Sequence, residues 1–241
     1  MSGPALLLIH GLGATSGVWH DVADAVDWPG RVVMPDLAGH GAAPWAGDYT
    51  VGSLAAAVAV SCGDAEPVVV VGHSLGGGVG ICLGSGFFRP RVLGVLGLGI
   101  KVSWTDDDVE RMAGVAARGV RWVESKDEAV ERFLRNAGLA GVVGPHHPAV
   151  KNAVAQGPRG WRVAQHPLTF AQRALDMAGL MAAARCPVVL GAGEHDAMCP
   201  RSDLERFTGQ PRIAEGAGHN VQLERPEWVV ERIHELADQV A

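Results

Sequence analysis

Gly72-His73-Ser74-Leu75-Gly76 comes directly after the valine run at 68–71, and it puts a hydroxyl between two glycines at the end of an apolar stretch. A serine hydroxyl is a weak nucleophile at neutral pH unless a neutral imidazole takes its proton and a carboxylate holds that imidazole in the right tautomer. The valines read as a buried strand, the glycines as a turn too tight for side chains, and the residues from Leu75 onward as a helix. This strand–turn–helix arrangement, a nucleophile elbow, exposes a serine at the carboxyl end of its strand. The pattern alone is weak here, because a chain with 33 glycines produces it by chance roughly 0.2 times. Its partners and the elements around it have to decide.

In a parallel sheet all carboxyl ends lie along one edge, so residues just after strands converge although they are distant in sequence. Asp196 follows the apolar run at 187–192, and His219 follows the short run at 212–214 in the loop Glu215-Gly216-Ala217-Gly218-His219-Asn220. Among ten histidines, His10, His40 and His73 sit in tight turns with structural explanations. His20 and His234 fall in helices, and His146, His147 and His166 fall in a separate helical stretch. His219 is the candidate base because a glycine-rich loop after the final strand lets it swing over Ser74. For the acid, Glu194 competes with Asp196, which is preferred because its shorter side chain reaches an imidazole with less rotamer entropy to lose. His10-Gly11-Leu12-Gly13 closes the first apolar run at 5–9, so the backbone N–H groups of Leu12 and Leu75 are the expected oxyanion donors.

The elements required by this arrangement are present. Strand-length apolar runs at 5–9, 31–34, 67–71, 91–98, 187–192 and 212–214 alternate with helical spacing at 16–26, 51–62, 75–88, near 200 and from 226. That alternation predicts an α/β fold, a six-stranded mostly parallel sheet with right-handed crossovers and helices on both faces. Asp36, in the turn-rich loop after the second strand, is expected to cap backbone amides. Between 101 and 174 the strand signal disappears. Helices are expected at 105–117 and 148–156, and a third opens on the capping box Ser125-Lys126-Asp127-Glu128, carries the stripe Ala129, Val130, Phe133 and Leu134, and closes at Gly138. The chain therefore divides into a core of 1–100 and 175–241 and a helical cap of 101–174, the usual cover of a site at a sheet edge.

Bulk composition narrows the classes further. The chain is 48% hydrophobic and 19% charged with a net charge of −6, which fits a large buried core and argues against a nucleic-acid surface. Four cysteines, Cys62, Cys82, Cys186 and Cys199, lack the close spacing of zinc sites or redox dithiols and read as reduced thiols, so no metal is expected. Met1-Ser2-Gly3-Pro4 lacks a basic signal region, and no apolar run approaches a membrane span, so the expectation is a cytoplasmic protein without a membrane partner.

With these residues assembled, the chain resembles the α/β-hydrolase family over nearly its whole length. The resemblance rests on His10-Gly11-Leu12-Gly13, Pro35-Asp36-Leu37-Ala38-Gly39-His40-Gly41, Gly72-His73-Ser74-Leu75-Gly76-Gly77, Gly193-Glu194-His195-Asp196 and Gly218-His219, in the order nucleophile, acid, histidine. It implies acyl transfer through a covalent acyl-Ser74, with Asp196 and His219 as partners and no cofactor. The first strand begins near Ala5, so the chain looks like the compact members that lack an N-terminal antiparallel strand pair. Serine at position 74 excludes the haloalkane dehalogenase and epoxide hydrolase branches, which place aspartate there, and the single Tyr49 cannot form the tyrosine pair of the latter.

The expected substrate is a small apolar carboxylic ester. Carbon–carbon bond hydrolysis of a diketone-like ketone uses the same triad and is the main rival, though Ala14-Thr15-Ser16-Gly17 departs from that branch's loop. A hydroxynitrile lyase would need a cap lysine, for which Lys101, Lys126 and Lys151 are available, and a ligand-binding receptor with a near-inert triad is the reading from another class. Trp104, Trp122, Phe133 and Trp161 are the candidate pocket residues, against the alternative that cap aromatics form the cap's own core.

Overall fold

The computed structural model describes residues 3–63, 67–171 and 174–241. Met1 and Ser2, and positions 172 and 173 of the expected cap, lie outside the described residues. In chain order the strands are β1 Ala5–Ile9, β2 Val32–Val33, β3 Val68–His73, β4 Val92–Leu98, β5 Val154–Gly157, β6 Gly160–Val163, β7 Val188–Gly193 and β8 Arg212–Ala214. The helices are α1 His20–Ala25, α2 Val51–Cys62, α3 Leu75–Leu83, α4 Asp106–Ala117, α5 Lys126–Asn136, α6 Met177–Ala183, α7 Arg201–Leu204, α8 Val221–Glu224 and α9 Pro226–Val240.

Six strands form one sheet in the order β2-β1-β3-β4-β7-β8, and every neighbouring pair is parallel. A parallel sheet is covered on both faces, so its strands read as continuous apolar runs whose alternate residues serve opposite cores. On β1, Leu6 and Leu8 join a core with Val18, Trp19 and Val22 around α1 and with Val229, Ile233 and Leu236 of α9. Ala5, Leu7 and Ile9 point the other way, toward Leu54 and Val58 of α2 and Val79, Ile81 and Leu83 of α3. The right-handed crossovers that alternation demands thus place α1 and α9 on one face and α2 and α3 on the other.

The stretch expected to be all helical is not. Its helices α4 and α5 form as read, and α5 closes with Gly138 at φ +68°, Leu139 N bonding Leu134 O at 2.7 Å and Gly138 N bonding Arg135 O at 3.3 Å. This is a Schellman closure. Instead of a helix at 148–156, however, a single 3₁₀ turn at Pro148–Val150 is followed by the antiparallel hairpin β5-β6. Asn152 at φ +60° stops the turn, and the four-residue strands are too short to display alternation. The loop Pro158-Arg159 between Gly157 and Gly160 closes the hairpin. The Ser125 box is half formed: Ser125 Oγ accepts from Glu128 N at 3.1 Å, while the Glu128 carboxylate faces Arg132 at 3.7 Å. The complete reciprocal box sits at α4, between Thr105 and Asp108.

Candidate active site

Ser74 occupies the turn between β3 and α3 at φ 52°, ψ −118°, a conformation that a side chain adopts only where the surroundings impose it. The imposition comes from packing. A Cβ on Gly76 would overlap the carbonyl oxygens of Ile9 and His10 at the end of β1, so only glycine lets α3 start this close to the sheet. Ser74 N donates to Leu98 O at 2.7 Å, which fixes the elbow to β4. The Ser74 hydroxyl makes no hydrogen bond among the described residues.

The loop after β7 carries Asp196, whose side chain is fully buried, and the loop after β8 carries His219. His219 Nδ1 and Asp196 Oδ2 are 2.8 Å apart. Asp196 Oδ1 accepts from Met198 N at 2.9 Å and Cys199 N at 3.2 Å. Burial pushes the Asp196 carboxyl upward, but the bond and charge of His219 and the Met198 amide more than offset this and hold it below the usual carboxylate range. Glu194, the competing acid, instead accepts from Gly216 N at 2.9 Å and is half exposed. Gly99 lies beneath the pair, since a Cβ there would stand 3.2 Å from Asp196 Oδ2 and 3.3 Å from His219 Nδ1. Ser74, Asp196 and His219 therefore gather around the end of β4.

Neither of the two expected oxyanion donors is bonded among the described residues. Leu75 is the first residue of α3, where backbone N–H groups have no intrahelical acceptor, and neither its amide nor that of Leu12 donates to a carbonyl among the described residues. Gly11, next to Leu12, abuts the elbow, because a Cβ there would lie 3.1 Å from Ser74 Cβ.

His10 and His40 are committed elsewhere. His10 donates from Nδ1 to Gly11 O at 2.8 Å and accepts at Nε2 from Leu37 N at 2.9 Å. His40 packs edge-on against it at 5.2 Å. Asp36 caps Ser16 N at 2.7 Å and Ala42 N at 2.8 Å. Two contacts went unread in the sequence. Glu224 Oε2 accepts from Gly218 N at 2.7 Å and Oε1 from Asn220 N at 3.0 Å, bracketing His219. Asn220 Nδ2 in turn donates to Gly138 O at 2.9 Å, tying the loop to the end of α5. The available sequence signal was an acid one helical turn beyond a glycine-rich loop.

Of the four candidate pocket aromatics, Phe133 is 1% exposed within the core that contains Trp19, Leu134 and Leu139. The Trp122 ring is met by the guanidinium groups of Arg159 at 5.1 Å and Arg162 at 5.9 Å, and Trp161 pairs with Val123 in an isolated bridge. Trp104 donates to Lys101 O at 2.9 Å beneath the Lys101 ammonium. No hydrogen bond or ring contact joins these four to Ser74 or His219 among the described residues.

The model of the alpha/beta hydrolase family matches residues 6–232. The chain belongs to that family. Among curated relatives, Lipase LipV of Mycobacterium tuberculosis is 41% identical over 100 residues, 39% of this chain and 36% of LipV. The first curated relatives, from Mycobacterium bovis and M. tuberculosis, are matched over 24% of their length, so the chain spans only a fraction of those proteins. Two solved structures share the fold. A thioesterase domain from the curacin biosynthetic pathway superposes with a TM-score of 0.76 at 17% identity, covering 96% of this chain and 91% of that one. An esterase from M. tuberculosis gives 0.74 at 21% identity, covering 98% and 85%. The compact hydrolase sheet of six strands matches the expectation drawn from the residues. Among the described residues, no helix is long and apolar enough to cross a membrane, and no group of three or more His, Cys, Asp or Glu side chains gathers as a metal site.

Proposed function

We propose that this hydrolase cleaves a small apolar carboxylic ester through an acyl-Ser74 intermediate. The observation that carries the reading is the 2.8 Å bond between His219 Nδ1 and the fully buried carboxylate of Asp196, at the sheet edge that holds the elbow. An ionised carboxylate accepts only, so Nδ1 bears the proton and Nε2 is left as the basic nitrogen. Ser74 Oγ attacks the substrate carbonyl while Nε2 takes its proton. The oxyanion is met by the amides of Leu12 and Leu75. Collapse expels the alcohol, which receives the proton from His219, and water then hydrolyses the acyl-serine by the same steps with His219 again as base. A serine hydroxyl unbonded in the free enzyme is compatible with this, because catalytic hydrogen bonds tighten when substrate binds.

The relatives named as a lipase, an esterase and a thioesterase support chemistry at an acyl carbonyl. The test is labelling by a fluorophosphonate in the wild type and in Ser74→Ala, alongside p-nitrophenyl esters of increasing chain length. Labelling and ester turnover should both vanish in Ser74→Ala. Equal labelling of the two proteins, or of neither, overturns the assignment; labelling without turnover of any ester moves the reading to carbon–carbon cleavage or a receptor.

A further inference from the structure

The strand order β3-β4-β7-β8 sets a problem for the site. Ser74 leaves β3, but His219 leaves β8, three strands away, or about 14 Å at the usual strand spacing. The His219 loop is anchored on its own side by His195 N to Ala217 O at 2.9 Å and by Glu224. On the nucleophile's side it meets His73, the residue before Ser74.

His73 is 3% exposed. Its Nε2 lies 2.8 Å from the His219 carbonyl oxygen, and the two rings stand 4.6 Å apart. A carbonyl only accepts, so Nε2 carries the proton; a neutral imidazole has one N–H, so Nδ1 is bare. Nδ1 is buried with no hydrogen-bond partner among the described residues, against Gly11, whose missing Cβ would stand 2.9 Å from it. Burial first, and then the charge of His219, hold the His73 ring down to about 3. It therefore stays neutral beside a base that becomes an imidazolium during turnover.

We propose that His73 is a positioning residue, whose Nε2–H donates to the His219 carbonyl and so sets the base against the nucleophile that follows it in the chain. This rests on the reading of His219 as the base for Ser74. One side chain then transmits the placement of the elbow to a loop that originates three strands away, and the bare Nδ1 follows from the tautomer that the bond requires.

Three variants separate the donor from the ring. His73→Phe keeps a ring of similar bulk without a donor, His73→Gln brings an amide N–H near the position of Nε2, and His73→Asn brings one only as far as Nδ1. Each is followed by the rate of fluorophosphonate labelling, by kcat and KM on p-nitrophenyl acetate, and by thermal unfolding. Phe and Asn should lower kcat and the labelling rate by about 10- to 100-fold with KM nearly unchanged, and Gln should recover most of the loss. A Phe variant as fast as wild type, or Gln and Asn variants equally impaired while folded, overturns the proposal. If Phe does not fold, the contrast between Gln and Asn decides alone. A wild type that is unlabelled, or is labelled equally in Ser74→Ala, removes the underlying reading and the proposal with it.

Discussion

Asp196 shows how burial and hydrogen bonding compete at a single carboxylate. Its two oxygens accept three hydrogen bonds, from His219, Met198 and Cys199; burial pushes the carboxyl up, and the bond and charge of His219 with the Met198 amide bring it below the usual range. Asp196→Asn keeps the shape, but with its oxygen held by the Met198 and Cys199 amides it turns an N–H toward Nδ1, which selects the wrong imidazole tautomer. Steady-state ester hydrolysis should show kcat reduced by about 10³- to 10⁴-fold with KM little changed. Glu224 is tested in the same way, since Glu224→Gln replaces one of two acceptors facing the Gly218 and Asn220 amides with a donor. Loss of about 1–3 kcal/mol of stability is expected, read by urea unfolding, together with a fall in kcat. At this scale the triad candidates were legible because strand ends share an edge. Glu224 and the His73 contact were not, because nothing in the order of residues states how a loop runs back across three strands.

Elements were legible in proportion to the length of their periodic signal. The buried strands announced themselves as runs such as 68–71, and helix α5 through its stripe and Gly138. The hairpin β5-β6 escaped because four residues per strand hold two alternations at most, and its pairing with Val123 is made from outside the segment. The same logic fixes the sign of two glycine substitutions. Gly138 ends α5 at φ +68° and its carbonyl receives Asn220, so Gly138→Ala should destabilise by about 1 kcal/mol and lower Tm by about 2–4 °C. Gly114 lies inside α4 with open space where its Cβ would stand. Gly114→Ala should stabilise by about 0.5–1 kcal/mol, since it removes backbone freedom from the unfolded chain without a clash. Calorimetry of the two single variants gives shifts of opposite sign; shifts of the same sign would reject the element boundaries drawn for α4 and α5.

Across the whole molecule, buried histidines couple the fold to pH. His10, His40 and His73 are each at most 3% exposed, and all three rings resist protonation in place. Burial dominates in all three, holding His40 and His73 down to about 3 and lowering His10 as well. For His40 the neighbouring His10 adds to the effect, and for His73 His219 does. In the unfolded chain a histidine takes up a proton near pH 6.5, so below that pH the unfolded state binds protons that the folded state refuses. Stability is therefore complete above about pH 6.5 and is lost as the pH falls toward the folded values. Each such histidine removes up to about 1.4 kcal/mol per pH unit, so His40 and His73 alone account for about 5 kcal/mol between pH 6 and 4, comparable to a typical total. Carboxylates held low in the fold, Asp196 among them, add their loss only at lower pH, below the ordinary range near 4. Urea midpoints measured from pH 7.5 to 4.5 should stay level at the upper end and then fall steeply below about pH 6. His40→Gln, whatever its effect at pH 7, should flatten that fall by about one proton's worth of slope. A wild-type midpoint unchanged between pH 6.5 and 5 would mean that these rings accept protons in the folded chain.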